Sequence, residues 1–89
     1  IPKILIVEDD ETTRRVMLRT VEESGCVAIL STNGRRALDI LQDNPDIAMV
    51  ITDIVMPEMD GEQMIQILRA DPQFEKLPII IVSGVVSIR

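Results

Sequence analysis

The chain has no histidine, tryptophan or tyrosine, and only one phenylalanine and one cysteine. Without histidine there is no imidazole to ligate a metal, to serve as a base or to donate a phosphoryl group. Cys26 has no partner for an internal disulfide and reads as a small buried hydrophobe in a reducing compartment. With aromatics nearly missing, the core must be built from Ile, Val, Leu and Met. No apolar run approaches the ~20 residues needed to span a bilayer, and no signal peptide opens the chain. A cytoplasmic location without membrane contact is the expectation. The net charge of −6 disfavours nonspecific binding to nucleic-acid phosphates, so direct nucleic-acid contact by this domain is not expected. A length of 89 residues is enough for one domain and too short for two.

What the chain does have is a set of short apolar runs. Lys3 to Val7, Cys26 to Leu30, Ile47 to Thr52 and Ile79 to Val82 lack a period of two, as expected of strands buried on both faces of a parallel sheet. Amphipathic segments alternate with them. Thr12 to Ser24 places Val16, Met17 and Val21 at helical spacing and stops at Gly25. Arg35 to Asp43 carries Ala37, Leu38 and Leu41 before Asn44-Pro45, and Glu62 to Ala70 carries Met64, Ile65, Ile67 and Leu68 before Asp71-Pro72. These apolar stripes are expected to be core, and Gln73 to Leu77 a linker. The order β-α-β-α-β-α-β predicts an α/β domain with a parallel sheet, helices on both faces and right-handed crossovers.

In such a sheet the reactive groups gather outside the carboxyl ends of the strands. That edge collects Glu8 and Asp9 from the first strand, Asp53 from the third and Ser83 from the fourth. Asp10 and Glu11 read as helix N-terminal residues favoured by the macrodipole. After Asp53, Met56-Pro57 cannot continue regular structure, so a loop closed by Gly61 follows. Acids crowded on one edge repel one another, and a hard divalent cation would remove the conflict. Asp9 and Asp53 suit magnesium, which takes one or two carboxylates beside waters and a phosphate. A carboxylate so placed can attack phosphorus and form an aspartyl phosphate, with the Ser83 hydroxyl holding a phosphoryl oxygen. Taken alone, an acid at a strand end is more often a turn or cap residue, and so is a serine. The combination of Asp53 with Glu8, Asp9 and the Met56-Pro57 to Gly61 loop is what sets Asp53 apart.

Three segments, Ile4-Leu5-Ile6-Val7-Glu8-Asp9-Asp10, Asp53-Ile54-Val55-Met56-Pro57-Glu58-Met59-Asp60-Gly61 and Pro78-Ile79-Ile80-Ile81-Val82-Ser83-Gly84, together resemble the receiver domain of two-component response regulators. The likeness covers residues 1–89 as one domain. It implies a flavodoxin-like doubly wound sheet of order 2-1-3-4, an order that comes from the likeness and not from spacing. It implies a phosphoacceptor at Asp53, supplied by the phosphohistidine of a sensor histidine kinase or by a phosphotransfer protein, in a signalling module rather than an enzyme. Mg2+ is the implied cofactor, held directly by Asp9 and Asp53, through water by Glu8, and by the backbone carbonyl of Val55. Asp10 is a second candidate for the acid pair. The pairing with Glu8 and Asp9 is preferred because Arg14 then falls where the family often has a basic residue. Ser83 matches the switch hydroxyl.

The chain departs from the pattern in one respect. A full receiver continues with a helix, a strand ending in a phosphate-binding lysine, and another helix, whereas the last lysine here, Lys76, precedes the fourth strand. The expectation is that these residues are part of a longer chain. On their own they should present an open fourth-strand edge that pairs with a second copy, and without the lysine phosphorylation should be slow. Val55 and Val85, each two residues past a site residue, offer no group to orient an attacking water, so a slowly hydrolysing phosphoaspartate is expected. A phosphohydrolase with an aspartate nucleophile resembles a motif with a second Asp where Val55 stands. A flavodoxin-like nucleotide binder needs a glycine- or hydroxyl-rich loop where Glu8 to Glu11 lie. A degenerate receiver that only binds a protein partner stays open as an alternative.

Overall fold

The computed structural model describes residues 1–53 and 61–82. Strand and helix alternate along them: β1 (Lys3–Val7), α1 (Glu11–Glu23), β2 (Val27–Ser31), α2 (Gly34–Asp43), β3 (Ile47–Thr52), α3 (Gly61–Ala70) and β4 (Ile79–Ile81). The strands form one sheet of order β2-β1-β3-β4 in which each neighbouring pair is parallel. The expected doubly wound order 2-1-3-4 is therefore the observed one.

Local chemistry starts and stops the helices where the sequence suggests. Asp10 takes extended geometry and its carboxylate accepts the Thr13 N–H at 2.8 Å, so it is the N-cap of α1. Asn33 does the same for α2, accepting the Arg36 N–H at 2.8 Å. Beyond α1, Gly25 adopts φ 83°, a left-handed conformation that a side chain would strain, and its N–H returns to the Glu22 carbonyl at 3.0 Å.

Central β1 is the most deeply placed element, with Leu5, Ile6 and Val7 fully buried. Leu5, Val7 and Val50 pack against Ala37 and Leu41 of α2, Met64 and Leu68 of α3, and Phe74. Burial of each large side chain contributes roughly 1.5–3 kcal/mol, which is what holds two helices on one face. Helix α1 belongs to the other face, where Val16, Met17, Val21, Ile51, Ile80 and Val82 line an apolar groove of about 370 Å³.

Several expectations need correction. The fourth strand is not buried: it has three residues rather than four, and Ile80, Ile81 and Val82 are exposed. Among the described residues β4 pairs only with β3, and no helix covers its α1-side face. For the same reason Val16, read as core, is 61% exposed on the lip of that groove. The second strand runs from Val27 to Ser31 rather than from Cys26, and as an edge strand it leaves Val27 and Leu30 exposed and Cys26 only half-buried. Residues 73–77 are a set of turns rather than a plain linker. Phe74 N–H donates to Asp71 O at 2.9 Å, and the turn drives the lone aromatic into the core at 6% exposure. Among the described residues no helix is long and apolar enough to cross a membrane.

Candidate metal centre

The sheet register brings the strand ends into line. Val7 stands opposite Ser31 on one side and Thr52 on the other, and Thr52 stands opposite Ile81. Hydrogen bonding runs one residue past each strand: Glu8 N–H donates to Ser31 O at 3.0 Å, Asp53 N–H to Val7 O at 3.1 Å, and Val82 N–H to Thr52 O at 2.8 Å. Glu8 and Asp53 thus leave neighbouring strands at the same level. Beneath them lies Thr52, fully buried, its hydroxyl satisfied by the Asp53 carbonyl at 2.7 Å.

Glu8, Asp9 and Asp53 each offer a carboxylate oxygen, and these oxygens lie within 4.8 Å of one another. Donors sharing one magnesium at ~2.1 Å can stand no more than about 4.2 Å apart. A spacing within 4.8 Å therefore lets one hard divalent ion reach the three carboxylates, directly or through a bridging water. The donor set is all oxygen and contains no sulfur or nitrogen, which selects hard ions of the magnesium and calcium class over zinc or copper. The residues present fit the cation that the family likeness implies.

The three acids differ in setting. Asp9 is exposed, Asp53 is half-buried and Glu8 is 2% exposed. Burial pushes the Glu8 carboxyl up to about 7; the N–H of Asp10 partly opposes this, and the nearby Asp53 and Asp9 carboxylates add to it. The three carboxyl groups thus crowd negative charge into one place, and a divalent cation would offset that charge.

The short turn from β1 to α1 is tied down on both sides. Glu8 Oε2 accepts the Asp10 N–H at 3.1 Å, and Arg14 Nη1 donates to the carbonyls of Glu8 at 3.0 Å and Asp9 at 3.4 Å. Asp10 turns away from the cluster toward its own helix, accepting both the amide and the hydroxyl of Thr13 at 2.8 and 2.7 Å. These bonds draw its carboxyl well below the usual range. As a ligand candidate Asp10 is not among the grouped acids, because capping already engages its oxygen. The Thr52 hydroxyl carried no signal in the sequence, and Arg14, which the sequence offered only as a basic residue of family-like position, proves to bond to the backbone of Glu8 and Asp9. A threonine before an acid carries no pattern of its own, while the five-residue step from Asp9 to Arg14 was a usable signal. Ser83, Val55 and Val85 lie outside the described residues.

Residues 4–88 match the family model of the response regulator receiver domain. The chain is 38% identical over 82 residues to a chemotaxis protein CheY homolog of Campylobacter jejuni, covering 91% of this chain and 63% of that protein. It is 32% identical over 83 residues to the two-component response regulator ORR11 of Oryza sativa, covering 93% of this chain and 56% of that one. Among solved structures, the signal receiver domain of a signal transduction histidine kinase from Syntrophus aciditrophicus superposes with a TM-score of 0.89 at 32% identity, over 96% of this chain and 64% of that chain. The chain thus spans about three-fifths of the length of the relatives it matches.

Proposed function

Because the chain belongs to the response regulator receiver domain family, we propose that it is the phosphoacceptor module of a two-component system and that Asp53 takes the phosphoryl group. The observation that carries this reading is the convergence of Glu8, Asp9 and Asp53 at the carboxyl ends of β1 and β3. The Asp53 carboxylate oxygen attacks the phosphorus of a phosphohistidine on a sensor kinase or phosphotransfer protein. The new O–P bond forms as the P–N bond breaks, and the imidazole leaves with the electron pair and takes up a proton from solvent. Asp9, Asp53 and the Val55 carbonyl would hold Mg2+, with Glu8 reaching it through water, and the ion would supply positive charge to offset that of the phosphoryl oxygens. The Ser83 hydroxyl donates to one of those oxygens, and that contact biases a conformational equilibrium read by an output partner. The roles of Val55 and Ser83 rest on the family likeness. A cytoplasmic location goes with the same reading.

Acetyl phosphate labelling with and without Mg2+, read by intact mass on wild type and Asp53→Asn, tests the proposal. The expected result is one phosphoryl group on wild type with Mg2+ and none on Asp53→Asn. Failure of wild type to label would favour a degenerate receiver that acts only by binding a partner. Among the described residues β4 pairs on one side only, and this with the exposed Ile80 and Ile81 supports a second proposal, that the 89-residue chain pairs with another copy through this side.

A further inference from the structure

The acidic turn between β1 and α1 consists of three residues, Glu8, Asp9 and Asp10, and two of their side chains are occupied locally. Glu8 accepts the Asp10 amide and Asp10 caps α1. Asp9 has a different arrangement. Exposed Asp9 has its carboxyl grouped with those of Glu8 and Asp53 and hydrogen-bonded to Glu8, and the peptides on either side of it are held from outside by Arg14. The Arg14 N–H also donates to Asp10 O at 2.9 Å, so one residue in the first turn of α1 engages the carbonyls of Glu8, Asp9 and Asp10.

We propose that Arg14 is a positioning residue for the metal centre, fixing the backbone on both sides of Asp9 so that its carboxylate is already aimed at the cation before binding. This rests on the metal-site reading above and deepens it. The planar guanidinium suits the task because one nitrogen reaches two carbonyls in a set direction, whereas a lysine ammonium would act as a single mobile point charge. Groups that orient a metal ligand from behind typically contribute about 10–100-fold in affinity.

The two effects of this side chain on a cation have opposite signs. As a positive charge, Arg14 repels Mg2+, so deleting it on charge grounds alone should tighten binding. As a tether it orders Asp9, so deleting it should weaken binding. Arg15 is the matched control: it follows directly, is exposed, and among the described residues bonds with Glu11 at 2.7 Å across one helical turn.

The experiment is titration of wild type, Arg14→Met, Arg14→Lys and Arg15→Met with MgCl2, by isothermal calorimetry and by backbone amide NMR, with folding verified by circular dichroism. Intrinsic fluorescence does not serve, since the chain has no tryptophan or tyrosine. Arg14→Met is expected to bind Mg2+ about tenfold more weakly, Arg14→Lys to recover only part of that, and Arg15→Met to match wild type or bind slightly more tightly. In the metal-free protein, the Asp9 and Asp10 amide resonances should broaden or shift in the Arg14 variants alone. Equal or tighter binding by folded Arg14→Met overturns the positioning role while leaving the site intact. Absence of Mg2+ binding by wild type overturns the metal-site reading itself and this inference with it. If Arg14→Met is unfolded, Arg14→Lys carries the test, and wild-type affinity in that variant overturns the proposal.

Discussion

Glu8 Oε2 accepts the Asp10 backbone N–H at 3.1 Å, so a carboxylate that is 2% exposed is held at the end of β1 by the turn that follows it. That bond favours the charged form, while burial and the neighbouring Asp53 and Asp9 oppose it more strongly. The balance leaves Glu8 near 7, against an ordinary value of 4.5.

A pH dependence follows from this raised value. Between about pH 4.5 and 7 the folded chain keeps a proton on Glu8 that the unfolded chain has lost, so the Glu8 contribution makes stability fall as pH rises through that window and level off above it. Mg2+ reverses the trend by favouring the ionised acids. The melting temperature of metal-free protein should fall between about pH 5 and 7.5, and the increase produced by Mg2+ should grow over the same range. Glu8→Gln should flatten the metal-free profile; a slope unchanged in Glu8→Gln would assign the dependence to other groups.

Asp10 can be separated from the metal site by substitution. Loss of an N-cap side chain costs about 1 kcal/mol, so Asp10→Ala should lower stability by that amount in urea titration. Asp10→Ser, which keeps a capping oxygen, should recover most of it. If Asp10 is a cap only, Asp10→Ser should change Mg2+ affinity by less than about threefold, whereas Asp9→Asn should weaken it about tenfold or more. Equal losses at both positions would make Asp10 a ligand.

Phe74 sits in a turn yet belongs to the core with Met64 and Leu68. Arg69 Nη1 holds this turn by donating to Phe74 O at 3.2 Å and Glu75 O at 2.8 Å. Phe74→Ala should cost about 3–5 kcal/mol, as expected for a large aromatic removed from a packed site. Chemical denaturation is the check, and a loss below about 1 kcal/mol would mean that the turn does not dock.

The exposed side of β4 gives a test of self-association. Light scattering on the 89-residue chain at micromolar concentration should report a dimer, and Ile80→Lys or Ile81→Lys should shift it to monomer, since lysine on an exposed strand disfavours further pairing. A wild-type chain of monomeric mass would remove the proposed second copy.

Much of the domain was legible before its folding was known. Apolar runs of four to six residues between amphipathic helices can satisfy their backbone only as a parallel sheet with helical crossovers, and the resemblance carried the order 2-1-3-4, which the strand pairing matches. Asp10 and Gly25 marked helix ends by local chemistry alone, because capping and a left-handed turn involve only neighbouring residues. Ile80 and Val16 were misread as core for the complementary reason. An apolar side chain states that it can be buried, while whether anything covers it depends on which elements lie alongside.

The sequence by itself determined the element order, the helix ends and the supply of acids at strand ends, since all of these follow from local propensity and periodicity. Only the tertiary structure decided that Glu8, Asp9 and Asp53 meet within 4.8 Å, that Asp10 turns to its helix instead, and that Arg14 reaches back across the turn. The physical reason is register: parallel pairing of Val7 with Thr52 sets residues 45 positions apart at one level, a distance over which no local pattern carries information.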